Sequence, residues 1–228
     1  MTVVGSELDR ERKGDFPTVT YGKIDASRDK QRMNNDVERF ERWSSTYEHS
    51  WIQRYLDQVH SFMVETVAAE APNLNPRVIL DVGCGTGRLL RRASSSWPEA
   101  QLVGLDPSTG MIESARKLAP SITFYQAVAE LLPLADASVD LAFSAVSLHH
   151  WQDAAAGVRE IHRVLCDTGI FCLADISIPS WLTKLFRSKA RSGSGIRDLL
   201  IQARLKLRVQ RRTSAGITLV SLAVRTSN

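Results

Sequence analysis

An α/β architecture with a mainly parallel sheet is written into this 228-residue chain in three places. An apolar, strand-type run, Val78-Ile79-Leu80-Asp81-Val82, passes through Gly83, Gly85 and Gly87 into a helical pattern that begins near Thr86. Beyond it, strand-like and helix-like patterns alternate to about residue 175, the order a parallel sheet needs because each crossover must carry the chain back across it. At the end, two strand-like runs, Leu205 to Thr213 and Gly216 to Arg225, flank Ser214-Ala215 and read as a hairpin.

The elements follow in order. Met1 to Asn35 is polar, with Gly14, Pro17 and Gly22 scattered and no sustained period, and reads as a mobile arm. From Asp36 to Ala71 apolar residues recur three or four apart, through Val37, Phe40, Trp43 and Tyr47 and then Ile52, Leu56, Val59, Met63 and Val67, which predicts two capping helices. Trp43, Tyr47 and Trp51 gather on one side, a pattern that serves core packing or a lid over a substrate. Ala71 to Pro76 is a loop by composition. Strands are expected near 77–82, 101–106, 121–126, 139–145 and 169–175, and helices near 86–97, 108–118 and 153–165. Pro98 and Pro120 stop the first two of these helices, and Asp167-Thr168-Gly169 turns into the fifth strand. Trp181 to Lys189 is a basic amphipathic segment, Arg191 to Gly195 a flexible break, and a short helix over 196–203 precedes the hairpin. The expected plan is an arm (1–35), a helical cap (36–71) and one ligand-binding domain (72–228).

Hydrophobic content of 43% with 24% charged residues is that of a soluble globular protein, and no apolar run has the length to cross a bilayer. The N-terminus lacks the apolar core of a secretory signal, so the expected location is cytoplasmic. Cys84, Cys166 and Cys172 are odd in number and lack metal-like spacing, which predicts reduced structural thiols and no metal. The net charge of +4 hides an asymmetry, with ten Lys or Arg between Trp181 and Arg212 against the single acid Asp198. That stretch is either a solvated face or a surface for an anionic substrate, a nucleic acid or a membrane.

The glycine turn points to a ligand, and its neighbours narrow the choice. Glycine is needed where the turn visits positive φ and where a Cβ would block a ligand lying on the backbone. Asp81, two residues before Gly83, suits a ligand with an ammonium group and repels a pyrophosphate. Asp106 ends a second strand, where a carboxylate accepts from both hydroxyls of a ribose. A nucleoside with an amino-acid tail fits both acids, a description met by S-adenosylmethionine.

At these residues the chain resembles the class I S-adenosylmethionine-dependent methyltransferases, and among them the small-molecule group similar to the ubiquinone/menaquinone-biosynthesis C-methyltransferases. Leu80 to Gly87 resembles that family's first motif. Leu105-Asp106-Pro107-Ser108 with Met111 resembles the second, Ala129 to Leu134 with Ser138 to Leu141 the third, and Ser147-Leu148-His149-His150-Trp151 the segment after the fourth strand. Arg42 to Tyr47 resembles the entry helix. The resemblance implies a Rossmann-like, seven-stranded sheet in the order 3-2-1-4-5-7-6, with the last strand antiparallel and helices on both faces. It also implies S-adenosyl-L-methionine as cofactor, S-adenosyl-L-homocysteine as product, and Asp81, Gly83, Cys84, Gly85, Gly87, Asp106, Pro107, Met111, Val128, Ala129, Glu130 and Ser144 around the cofactor. Two positions depart from the family. Val128 stands where an Asp usually meets the adenine, which leaves backbone, Glu130 or water for that contact, and Arg204 stands where the family carries glycine before the sixth strand.

The cofactor's methyl is expected to point at the loop Val146 to Trp151. His150 or His149 there is placed to act as a base, because imidazole titrates near neutrality. The competing expectation is that one of the two packs on Trp151 and caps the next helix. Tyr47, Trp43 and His149 are the candidate substrate contacts, whereas Asp140 and Asp175 read as structural carboxylates. The acceptor expected is a small organic molecule methylated on oxygen or carbon. The alternatives are a nucleic-acid methyltransferase, prompted by the basic stretch but lacking the Asn/Asp-Pro-Pro-Tyr and Pro-Cys sets, and a non-catalytic cofactor-binding protein, prompted by Val128. Trp181, Leu182, Leu185 and Phe186 offer a peripheral membrane contact or a packing face. The sequence carries no signal for oligomeric state.

Overall fold

In a computed structural model, which describes residues 28–50, 52–179 and 191–226, seven strands form one sheet in the order β3-β2-β1-β4-β5-β7-β6. They are β1 (Val78–Val82), β2 (Gln101–Asp106), β3 (Thr123–Gln126), β4 (Val139–Ala145), β5 (Leu165–Ile176), β6 (Leu205–Arg212) and β7 (Thr218–Arg225). The first five pair in parallel, and β7 runs antiparallel to both β5 and β6, in the order the resemblance implies. The helices are α1 (Arg28–Tyr47), α2 (Ile52–Glu70), α3 (Arg88–Ser96), α4 (Thr109–Leu118), α5 (Ala154–Val164) and α6 (Gly193–Gln202).

Because successive strand residues face opposite sides, the two faces of the sheet are filled by alternate positions. Leu80, Val82, Val103, Leu105, Ala142, Phe171 and Leu173 pack on one face with Val158 and Ile161 of α5 and with Ile196, Leu199 and Leu200 of α6. Ile79, Leu102, Leu141, Phe143 and Cys172 pack on the other, with Val59 and Met63 of α2, Leu89 and Leu90 of α3, and Ile112 and Ala115 of α4.

The two predicted cap helices play unlike parts. In α2, Val59, Met63 and Val67 are fully buried at helical spacing, each worth roughly 1.5–3 kcal/mol, so α2 belongs to the core. The side chains described on α1 are half-buried or exposed, and the helix crosses α4 above the carboxyl ends of the strands. It starts at Arg28 rather than Asp36, because Arg28 to Asn35 holds helix formers without the apolar period by which the sequence is read.

Local differences have local causes. Arg191 to Gly195 is not a flexible break. Ser192 caps α6 by accepting from Gly195 N at 3.1 Å, and the glycines form the first turn. Cys166 to Gly169 belongs to β5 at a register shift between the pairs Val139/Leu165 and Leu141/Ile170. All three cysteines are free thiols. Among the described residues no helix is long and apolar enough to cross a membrane. Trp51, the segment 181–189 with Trp181, Leu182, Leu185 and Phe186, and most of the predicted arm lie outside the described residues.

Candidate active site

The carboxyl ends of β1, β2 and β4 open a crevice where the strand order reverses about β1, the general place for ligands in open parallel sheets. Its floor is the turn after β1. Gly83 and Gly85 hold φ of 78° and 53°, and Gly83 N and Cys84 N both donate to Leu105 O, at 2.7 and 2.9 Å, which ties the turn to β2. A Cβ on Gly83 would stand 1.9 Å from Ser147 Oγ, whereas at Gly85 the nearest side-chain atom would be Tyr47 at 3.8 Å. Gly87, with φ of 77°, is not brought to the crevice. A Cβ there would stand 2.7 Å from the Phe124 ring, so this glycine lets α3 pack on the sheet, and as the N-cap it starts the helix at Arg88 rather than near Thr86.

Two compartments share Phe40, Tyr47, Gly83, Gly85 and His150 as a common wall. The groove, of about 110 Å³, brings together Asp106, Pro107, Met111, Val128, Ala129 and Glu130. The chamber, of about 400 Å³, is lined by Asp81, Cys84, Trp43 and His149, together with Arg39, Gln53, His60 and Ile176. Ser144 reaches neither. It is fully buried within β4, opposite Leu173, and the crevice begins one residue later at Ala145.

The two acids differ in partners. Asp106, 9% exposed, accepts from Gly85 N and Ser108 N, both at 2.9 Å. Burial pushes its carboxyl up to about 6 against the pull of those two hydrogen bonds, and the charge of Glu41 adds to the rise. Each oxygen keeps a lone pair for a further donor. Asp81, 2% exposed, has an Oδ1 without a hydrogen-bond partner among the described residues, and burial, helped by the charge of Asp106, pushes it up to about 8. Gln53 Oε1 and His60 Nδ1, also buried and unpartnered among the described residues, line the same chamber. Burial lowers His60 to about 4, so its imidazole is neutral at pH 7. Orphaned buried acceptors each cost about 1–3 kcal/mol, and an ammonium group with three N–H donors is their chemical complement. These residues fit the amino-acid end of S-adenosylmethionine, and Asp106 fits its ribose. The Val128 side chain offers no polar atom to the adenine, and Glu130 Oε1 accepts from Asp153 N at 2.9 Å.

The loop after β4 starts at Val146, a β-branched residue with φ of 53° whose N donates to Ala174 O at 2.7 Å. Such strain concentrates at functional sites. Leu148–His150 forms a single 3₁₀ turn. His150 meets the edge of Phe40 at 5.2 Å between ring centroids and lies 4.0 Å from the ring of His149. Asp153, rather than a histidine, caps α5, accepting from Ala155 N and Ala156 N. Trp151 Nε1 donates to Ser147 Oγ at 2.9 Å.

Three acids make contacts that the sequence does not announce. Asp175, read as structural, contacts His149 directly, with its Oδ1 2.6 Å from Nδ1 and its Oδ2 accepting from the backbone N at 3.0 Å. Asp140 is structural as expected, accepting from Arg77 N and Val78 N. Glu41 and Glu48 hold α1 over the crevice. Glu41 accepts from Ser108 Oγ at 2.7 Å and Gly110 N at 2.9 Å, while Glu48 accepts from Thr86, Arg88 and Arg91. Burial alone would raise Glu48, but the Thr86 and Arg91 hydrogen bonds and the two arginine charges outweigh it and lower it. Their spacing was the available signal, since seven residues is two helical turns and places both acids on one face beside Phe40 and Tyr47.

Residues 80–173 match the family described as methyltransferase domain. An uncharacterized methyltransferase of Synechocystis is 31% identical over 153 residues, covering 63% of this chain and 70% of that protein. The chain belongs to the methyltransferase-domain family. A malonyl-[acyl-carrier protein] O-methyltransferase of Dechloromonas aromatica is 36% identical over 110 residues, covering 48% of this chain. The chain spans only 40% of that relative's length. In fold, this family member is similar to the 1,6-didemethyltoxoflavin-N1-methyltransferase of Burkholderia thailandensis, solved with 1,6-didemethyltoxoflavin and S-adenosylhomocysteine bound. The TM-score is 0.67 at 17% identity, over 90% of this chain and 94% of the other.

Proposed function

We propose that the chain transfers the methyl group of S-adenosyl-L-methionine to a small organic acceptor, at oxygen or carbon. One observation carries the reading. The acid with an unpartnered oxygen, Asp81, and the acid at the tip of the next strand, Asp106, flank a glycine turn that opens into an aromatic-walled chamber. When bound, the cofactor supplies an electrophilic methyl on a positive sulfur. The chain's own residues then have three tasks. Asp106 grips the sugar, Asp81 with Gln53 and His60 receives the ammonium, and Phe40, Trp43 and Tyr47 close the chamber against water and orient the acceptor. Val128, Pro107 and Met111 give the adenine an apolar bed, with Glu130 at its rim.

The small-molecule choice is supported by the size of the chamber, about 400 Å³, and by the acceptor in the name of the Dechloromonas relative. The basic stretch argues little for nucleic acid where it is described. Arg211 pairs with Glu70 at 2.6 Å, and Arg212 Nη1 donates to Ser177 O and Gly216 O. Three free thiols suit a reducing compartment such as the cytoplasm. Calorimetry with S-adenosylmethionine and S-adenosylhomocysteine tests the reading. Asp106→Ala should weaken both several-fold or more, because charge-assisted hydrogen bonds to the ribose are lost. Equal affinity in the variant and the parent would overturn the assignment.

A further inference from the structure

Building on the methyltransferase reading, we propose that the chain recognises its cofactor at the sugar and at the amino-acid end but leaves the 6-position of the purine unread, with Val128 as the residue that sets this tolerance. A base attached to a ribose at Asp106 lies in the part of the groove between the ends of β2 and β3. Pro107, Met111, Ala127, Val128 and Ala129 line that part, and α1 contributes Val37. All of these side chains are apolar. The polar groups beside them are already engaged. Ser108 Oγ donates to Glu41 at 2.7 Å and accepts from Met111 N at 3.2 Å, while Ser108 N donates to Asp106. Among the backbone acceptors, Asp106 O takes Ala127 N at 3.1 Å, Val128 O takes Leu131 N at 3.2 Å, and Pro107 O takes Gln126 Nε2 at 3.1 Å. Glu130 accepts from Asp153 N through Oε1, at the start of α5.

The tolerance follows from how a binding site discriminates. A site that holds a buried polar group for one N–H or O–H of its ligand rejects an analogue lacking it, because the site's own group is then stranded without a partner. An apolar wall has no group to strand and separates the two ligands only weakly. Asp106 and Asp81 are of the first kind, since both are buried carboxylates with lone pairs left for a donor. The wall at Val128 is of the second kind. It holds a flat base by covering its faces, and the buried Met111 thioether adds a polarisable contact that any purine ring can make. The ligand class is therefore a sulfonium nucleoside, or the thioether left after methyl transfer, whose purine need not carry an amino group at the 6-position.

Calorimetry on the full chain tests this with three probes: S-adenosylhomocysteine, its counterpart with hydrogen in place of the 6-amino group, and its 2′-deoxy counterpart. In the parent the first two should bind within about threefold of each other, whereas the third should bind several-fold or more weakly because Asp106 loses a donor. Val128→Asp sets a carboxylate into the apolar wall and should create a preference of about tenfold or more for the amino-bearing probe. Glu130→Gln should leave the ratio of the first two probes as it is in the parent. A parent that prefers the 6-amino probe by about tenfold or more would overturn the proposal, and loss of that preference in Glu130→Gln would assign the reading to the Glu130 carboxylate instead. A Val128→Asp protein that binds S-adenosylhomocysteine without any new preference would take Val128 out of the wall around the base and overturn its assigned role. Failure of the parent to bind S-adenosylhomocysteine at all would strike the methyltransferase reading itself, whereas binding of S-adenosylhomocysteine with rejection of the 6-hydrogen probe strikes only the tolerance at the 6-position.

Discussion

In the groove proposed for the cofactor, most of the wall comes from residues within a few positions of a strand end, the glycine turn after β1, Asp106 to Ser108 after β2 and Ala127 to Glu130 after β3, with Val37, Phe40 and Tyr47 of α1 over them. In the chamber proposed for the acceptor, more of the wall comes from distant parts of the chain, with α1 above, α2 behind, and the β4 loop tied to the tip of β5 by Asp175. The first side is fixed by backbone hydrogen bonds and buried packing. The second is fixed by side-chain hydrogen bonds, many of them part-exposed, from Glu41, Glu48 and Asp175. The difference teaches that a crevice can have one wall set by the strand ends themselves and another held in place by side chains from separate elements, the kind of wall that varies more readily.

The largest effect is expected at the turn. In Gly83→Ala the new Cβ meets both a positive φ and Ser147 Oγ at 1.9 Å, and the sum is roughly 2–4 kcal/mol of stability with loss of cofactor binding. Gly85→Ala meets only the φ term, about 1 kcal/mol. Equal losses in thermal melts would mean that the seat is not set by close approach to the β4 loop.

Asp81 gives the next effect, and its sign can be worked out. Folding raises its pKa from an ordinary value near 3.8 to about 8. The stability of the neutral form is therefore fully present below about 4 and is lost as pH rises through about 8. The ligand-free chain should melt lower at pH 9 than at pH 6, and Asp81→Asn should flatten that difference. An ammonium placed beside Asp81 favours the charged form, so cofactor binding at pH 7 should release about one proton, read by calorimetry in buffers of different ionisation heat. Asp81→Asn should abolish the release and weaken binding about 10- to 100-fold.

The lid side should respond in dynamics more than in stability. Glu48→Gln keeps the shape but removes the charge met by Arg88 and Arg91, and should cost about 1–2 kcal/mol. Amide exchange should quicken along α1 while α2, whose apolar face lies in the core, stays protected. Matching exchange in the two helices would erase the distinction between wall and core.

What was legible in the sequence divides along the same line. The sheet order came through the family resemblance, and Asp81, Gly83, Gly85 and Asp106 are legible as crevice residues because φ and strand ends are local properties. Asp175 reads as structural from its place at a strand end, but its partner does not, because the contact exists only once β4 and β5 lie side by side and nothing near residue 175 mentions residue 149. Glu41 and Glu48 passed unnoticed for a similar reason, since polar residues on a helix look solvated until their partners on α3 and α4 are known. Ser144 and Gly87 gain their place around the cofactor only from a motif, and in the structure both are packed away from the two compartments.

Arg204 sharpens the contrast from outside the crevice. It follows α6 and the cap residue Ala203 with φ of 59°, so it occupies the left-handed position just past a helix end where glycine is favoured, which explains the glycine of the resembled family. Relieving a left-handed Arg gains about 1–2 kcal/mol, and the greater freedom of glycine in the unfolded chain takes back about 0.5–1. Arg204→Gly should therefore raise stability by about 0.5–1 kcal/mol, with cofactor affinity unchanged. Val146 carries a similar φ inside the crevice, at the start of the loop that presents His149. Relief there by Val146→Gly should loosen the acceptor wall and lower turnover. If both variants left turnover alone, the strain in the β4 loop would be incidental to the acceptor site.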